Sequence, residues 1–189
     1  MVSRAFLVSP AVLAAVFAVG CSLTSSVPDG RLIDPGFEGK GLAASPTEGW
    51  YSDDAKAGNL HVTSDPSSRS EGACSLRVEV IHPRDARDGQ ASVSQVVAVV
   101  PADGQRFELS LALRGTVATP VTLHICVWDG NVARQVAAKH VAVATGWTST
   151  SLQFEVPCGY DRFGVFVYLP NAEGACVWLD DARFRALAG

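Results

Sequence analysis

The chain has 189 residues, a formal charge of −4, 48% hydrophobic residues and 18% charged residues. This length suits one domain with a self-sufficient core, and the hydrophobic content excludes a mainly disordered chain. Mild acidity gives no electrostatic case for nucleic-acid binding. Five cysteines is an odd number and asks for an explanation.

The N-terminus supplies one. Residues 1–4 carry a single positive charge, from Arg4, and residues 5–20 form an apolar stretch interrupted by Ser9-Pro10. That stretch is short for a bilayer span and has the layout of a signal-peptide core. It ends in Ala18-Val19-Gly20-Cys21, which resembles a bacterial lipobox, with Ala18 where Leu is commoner. Residues 1–20 are therefore expected to be a lipoprotein signal peptide, with Cys21 the acylated residue. The competing readings are an ordinary secretory signal and a membrane helix. The polar, turn-rich segment 21–30 is the expected tether, placing the protein exported and lipid-anchored at the cell envelope.

With Cys21 set aside, Cys74, Cys126, Cys158 and Cys176 remain, an even set in a compartment where disulfides persist. Four buried free thiols are the alternative. No CxxC or Cys/His cluster suggests zinc.

Residues 31–185 read as short alternating strands separated by Gly, Pro, Asp and Asn. In chain order the predicted strands are 32–38, 49–52, 60–64, 74–81, 91–99, 106–114, 121–128, 134–143, 148–156, 163–169 and 176–184. Leu76, Val78 and Val80 face one way and Arg77 and Glu79 the other. Leu109, Leu111 and Leu113 alternate with Ser110, Ala112 and Arg114. Asp129-Gly130-Asn131 predicts a hairpin turn. The segment 83–89, with Arg84 and Arg87, reads as a solvated loop. Strands 163–169 and 176–184 are expected to form a hairpin through Pro170 to Gly174. That would hold Cys158 and Cys176 apart, because a bridge needs Cα atoms within about 7 Å. Two pairings then stay open: 126–158 with 74–176, or 74–158 with 126–176. The fold class is all-β, a two-sheet sandwich.

A family resemblance rests on an ordered set of segments. They are Leu32-Ile33-Asp34-Pro35-Gly36-Phe37-Glu38, Gly49-Trp50, and Gly72-Ala73-Cys74-Ser75-Leu76-Arg77-Val78. Gln95-Val96, Phe107-Glu108-Leu109-Ser110, Gly146-Trp147 and Val177-Trp178-Leu179-Asp180-Asp181-Ala182 follow. In this order they resemble carbohydrate-binding modules of the xylanase- and cellulase-associated type (families 4, 9 and 22), within the galactose-binding-like jelly rolls. The resemblance implies a non-catalytic domain and a structural calcium, with Glu38 and Asp180 matching the carboxylate positions. The alternative for these two acids is turn capping or pairing with Arg. Trp50 and Trp147 match positions that are usually core.

Sugar binding needs aromatic faces with polar side chains beside them. Trp128 lies on the polar face of strand 121–128, with His124, and Phe166 and Tyr168 share one face of 163–169. If those strands are neighbours, Trp128, His124, Tyr168, Phe166 and Gln135 could line a shallow groove. Trp178 also alternates outward. The competing reading is that these aromatics only cover a sheet. His61, His82, His124 and His140 are scattered, and no hydrolase, metalloprotease or nucleotide-binding motif is present. The function expected is a non-catalytic, lipid-anchored envelope protein binding a polysaccharide or glycan. The alternative is an envelope structural or protein-interaction domain that keeps the fold and binds no sugar.

Overall fold

The computed structural model describes residues 31–39, 41–85, 89–99, 104–116, 119–129, 132–157 and 159–188. The expected signal peptide, Cys21 and the expected tether, together with Arg87 and Cys158, lie outside them. Among the described residues one short helix, α1 (Asp53–Lys56), precedes nine strands. These are β1 (Leu60–Asp65), β2 (Ser75–Val80), β3 (Ser92–Ala98), β4 (Arg106–Gly115) and β5 (Thr119–Asp129). They continue as β6 (Val132–Val143), β7 (Thr148–Glu155), β8 (Arg162–Tyr168) and β9 (Cys176–Ala186).

The strands pair antiparallel into two sheets, ordered β1-β2-β9-β4-β7 and β3-β8-β5-β6. This is the predicted jelly-roll sandwich. The period-two alternation explains it, because each strand turns one apolar row inward. Val78, Leu109, Leu111 and Leu113 come from one sheet, and Leu123, Ile125, Val165 and Val167 from the other; all are buried. At one end Phe163 of β8 meets Phe154 of β7 and Phe184 of β9, with ring centroids 5.2 and 5.0 Å apart. That aromatic cluster joins the sheets by area and edge-to-face contact together.

Four expectations are corrected. Residues 32–38 form turns instead of a strand. Asp34 and Phe37 both take positive φ around Pro35-Gly36, which breaks the extended path. Residues 49–52 make only one bridge, Tyr51 to Ser94, before α1 begins. Ser52 caps that turn, its Oγ accepting from Ala55 N at 3.1 Å, and Asp53 and Asp54 suit its first turn.

The third correction concerns β8 and β9, which are not hairpin partners. β8 pairs with β3 and β5, and β9 pairs with β2 and β4, so the chain crosses between sheets at 170–175. Both strands carry an inward apolar row, and placing them in opposite sheets lets each row face the core. The fourth concerns the cysteines. Cys74, Cys126 and Cys176 are free thiols. Cys176 stands opposite Glu79, so Cys74 is five residues along the ladder, about 16 Å away at about 3.3 Å per residue. Cys126 belongs to the other sheet and faces away from the core, as Cys176 does on its own sheet. Neither the 74–176 nor the 126–176 bridge is formed.

The β5–β6 hairpin is present, with Asp129 opposite Val132; Gly130 and Asn131 lie outside the described residues. Gln95 fastens the N-terminal segment to β3. Its side chain is 1% exposed, accepts from Ile33 N at 2.7 Å and donates to Ile33 O at 2.9 Å.

Candidate functional site

The four-stranded sheet turns its second face away from the core. Ladder register places its residues in rows. Ser92, Tyr168, Thr122 and His140 form one row, and Ser94, Phe166, His124 and Ala138 form the next. A third row holds Val96, Gly164, Cys126 and Gln135. Strand neighbourhood therefore brings together Trp128, His124, Phe166 and Tyr168, as the alternation implied.

The rings touch. His124 meets Tyr168 edge-on at 4.8 Å, and Phe166 lies nearly parallel to Tyr168 at 5.9 Å, an interplanar angle of 15°. Trp128 sits 6.2 Å from Phe166. Gly164 makes room for both: a Cβ there would stand 2.5 Å from Trp128 Cη2 and 2.7 Å from Phe166 Cε2. His124, Trp128, Phe166 and Tyr168 are all half-buried, so their rings keep exposed surface. Gln135 shares the face and is exposed, opposite Cys126. It borders the aromatic group and does not line the cleft beside it.

That cleft, of about 310 Å³, lies where the aromatic face meets α1, Arg84, Gly89 and Gln90. Phe166, Tyr168, Ser92 and Ser94 line it from the sheet, and Asp53, Asp54, Arg84, Gly89 and Gln90 from the opposite wall. Asp54 is 3% exposed. Its Oδ1 accepts from Arg84 Nε at 2.6 Å and its Oδ2 from Ser92 N at 3.1 Å. Such a buried carboxylate is tolerable because it is paired and hydrogen-bonded. Arg84 is thus a wall of the site, whereas the sequence suggested a solvated loop residue. Tyr51 donates its hydroxyl to Asp53, and the Lys56 ammonium lies 4.4 Å from the Tyr51 ring centre.

Electrostatics keep the aromatic floor neutral. Burial holds the His124 imidazole below its usual range, and neighbouring His140 adds to this. Burial pushes the Tyr168 phenol up, with Cys126 and Asp54 adding and Arg84 opposing. Burial also raises the Cys126 thiol. His140 Nδ1 and Thr122 Oγ1 are hydrogen-bonded at 2.9 Å. Neutral aromatic and hydroxyl-bearing groups beside a few paired charges can stack on and hydrogen-bond a polyhydroxylated ligand.

The sequence missed Asp54, Arg84, Gln90, Ser92 and Ser94 as site residues. Only the adjacent pair Asp53-Asp54 offered a signal, and nothing local says that Asp54 meets Arg84, thirty positions away. Trp50 is core, 2% exposed and packed on Phe37 at 5.0 Å, while Trp147 is half-buried. Trp178 faces outward from the five-stranded sheet, as its alternation implied. Its Nε1 donates to Asp65 Oδ2 at 2.8 Å, and Arg114 lies 5.0 Å over its ring. Together with Ser67, that bond lowers the Asp65 carboxyl to about 2.

Glu38 and Asp180 clasp the 70–73 turn. Glu38 Oε1 accepts from Ala73 N at 2.7 Å; Asp180 Oδ2 accepts from Ser70 N at 2.6 Å and Glu71 N at 3.0 Å, and its Oδ1 from Asp181 N at 2.7 Å. Gly72 is required there: its φ is +63°, and a Cβ would fall 1.6 Å from Glu38 Oε1. Of about four acceptor sites per carboxylate, the described residues occupy one on Glu38 and three on Asp180. Carboxylate oxygens are the donor type a hard cation takes. Among the described residues no group of three or more His, Cys, Asp or Glu is placed to hold a metal by side chains alone.

The fold is a two-sheet jelly roll that carries an aromatic outer face with a polar cleft beside it. The solved structures similar to this chain include the CBM22-1 xylan-binding domain of Xyn10C from Paenibacillus barcinonensis. Identity is 17%, covering 84% of this chain and 96% of that one, with a TM-score of 0.59. TmCBM61, solved with beta-1,4-galactotriose, is similar at 18% identity, 82% and 97% coverage and a TM-score of 0.53. A cyclase from Fischerella sp. TAU, solved with 4-(1H-indol-3-yl)butan-2-one, matches at 15% identity, 83% and 97% coverage and a TM-score of 0.60. At such identities the likeness is one of fold. No protein-family profile and no curated protein matches the chain.

Proposed function

We propose that this protein is a non-catalytic, lipid-anchored domain of the cell envelope that binds a neutral polysaccharide or glycan. The observation that carries the proposal is the cluster of His124, Trp128, Phe166 and Tyr168 beside a polar cleft on one sheet face. Pyranose faces would stack on the rings, and Ser92, Ser94, Gln90 and Asp53 would meet the hydroxyls. Affinity would fall in about the micromolar-to-millimolar range, as suits a shallow site. The carbohydrate-binding-module fold supports this reading. Cys21 would hold the domain on a membrane through its acyl chains, and Glu38 and Asp180 would hold a structural calcium.

A glycan array followed by titration of Trp128→Ala and Tyr168→Ala tests the binding. Each variant is expected to weaken binding at least tenfold while keeping its fold. Wild-type protein that binds no glycan would overturn the proposal. The second reading, a protein-docking envelope domain, is favoured by edge strand β6, where Val132 is 69% exposed. Recovery of one stoichiometric partner that β6 variants lose would support that reading.

A further inference from the structure

We propose that a second hollow, on the far side of Trp128 from the polar cleft, seats an acyl substituent, so that the glycan bound is an acylated one; this rests on the glycan-binding reading above. The hollow has a volume of about 300 Å³, at the low end of ligand sites. Ladder register fixes its place. Val96 stands opposite Gly164, and Ala98 opposite Arg162 two residues along, so these residues share the outer face of the four-stranded sheet. Gly164 is the residue over which the Trp128 ring lies. Val96, which lines the hollow, is thus one strand away from the seat of Trp128, about 4.8 Å. A sugar stacked on Trp128 has this hollow as its neighbour.

Backbone bonds hold the lining in place. Gln95 binds Ile33 N and Ile33 O at 2.7 and 2.9 Å, and Val96 N donates to Pro46 O at 2.7 Å, which brings Thr47 beside β3. Leu32 is buried, yet Ile33 next to it is 46% exposed. Among the described residues only Val132 is another large hydrophobic side chain so exposed. With its backbone fixed by Gln95, Ile33 keeps its apolar side chain at the hollow.

The lining has two chemical parts. Leu32, Ile33, Val96 and Ala98 give apolar surface, while Arg31, Thr47 and Arg162 give donors. Asp161 is the one carboxylate among the described lining residues; it lies 3.9 Å from Arg162, and both side chains are largely exposed. An acetyl group asks for this combination. Its methyl takes apolar contact, and its carbonyl oxygen accepts a hydrogen bond. A bare hydroxyl set against Ile33 and Ala98 gains no partner there. An acetyl ester or acetamido group also adds no charge, so the ligand stays neutral.

Isothermal titration with matched neutral pairs tests the inference. The pairs are acetylated and deacetylated xylo- and manno-oligosaccharides, and chito- against cello-oligosaccharides of equal length. The acylated member is expected to bind about tenfold tighter or more. Ile33→Ser and Arg162→Ala, both at exposed side chains, should each cut that preference at least threefold, with circular dichroism confirming the fold. Equal affinity within every pair that binds would overturn acyl recognition and leave glycan binding intact. A preference that both variants keep in full would overturn the hollow as the acyl seat. Failure of every glycan to bind would overturn the glycan reading and this inference with it.

Discussion

The Trp128 ring lies over the backbone of Gly164, so close that a methyl group on Gly164 would stand 2.5 Å from the ring. The two residues belong to neighbouring strands, and the missing side chain of one makes space for the largest side chain of the other. Gly164 does not take positive φ, so the backbone tolerates replacement. Gly164→Ala is therefore expected to swing Trp128 aside. Near-UV circular dichroism should change, glycan affinity should fall at least tenfold, and overpacking should cost about 1–3 kcal/mol. An unchanged spectrum with unchanged affinity would show that Trp128 has no need of this seat.

Gln95 acts as a substitute strand partner for Ile33, giving one acceptor and one donor from a buried position. Gln95→Leu keeps the volume and strips both partners. Its expected cost is about 1–3 kcal/mol, because Ile33 N–H and C=O lose their protein contacts. A urea denaturation midpoint measures it. A midpoint equal to wild type would mean that water replaces both bonds.

His124 gives stability a pH dependence with a definite sign. Its folded pKa lies below its unfolded value, so the unfolded chain binds more protons in acid. The contribution is constant well above about pH 6.5. Stability then falls as pH drops through that value toward the folded pKa. Melting temperatures from pH 8 to pH 5 should show this decline, and His124→Asn should flatten part of it. A parallel decline in the variant would assign the effect elsewhere.

Asp180 accepts three amide N–H groups, two of them from the 70–73 turn. Asp180→Asn sets a donor against donors and is expected to cost about 2–3 kcal/mol. The calcium ion proposed at Glu38 and Asp180 would add a second effect. Chelation should lower the wild-type melting temperature by several degrees and leave Glu38→Gln unmoved. Identical wild-type melts with calcium and with chelator would remove the ion and leave amide capping as the whole role of these acids.

The strands that matter to the core were legible because their alternation is local. Leu109, Leu111 and Leu113 announce their buried face in one five-residue window. The same alternation placed Trp128 and His124 on one outward face, and Phe166 and Tyr168 on another. Bringing those two faces together needed β5 and β8 to be neighbours, which the sequence posed as a condition. The wrong hairpin between β8 and β9 shows the limit. Turn residues at 170–174 are compatible with reversal inside one sheet or with crossing to the other. Only the burial of two inward rows against each other selects the crossing.

Composition and pattern alone thus determined an all-β sandwich and the residues facing its core, and they made the case for export through Cys21. The tertiary structure decided what alternation cannot encode. It set Arg84 against Asp54, and it left Cys74, Cys126 and Cys176 unbridged. It also seated Trp128 over Gly164 and fastened α1 to β3, so that a polar cleft lies beside the aromatic sheet face. The reason is physical: period-two patterning specifies which side of a strand is apolar, whereas a site is made by residues distant in sequence. Their meeting depends on strand order and on where loops are tied down.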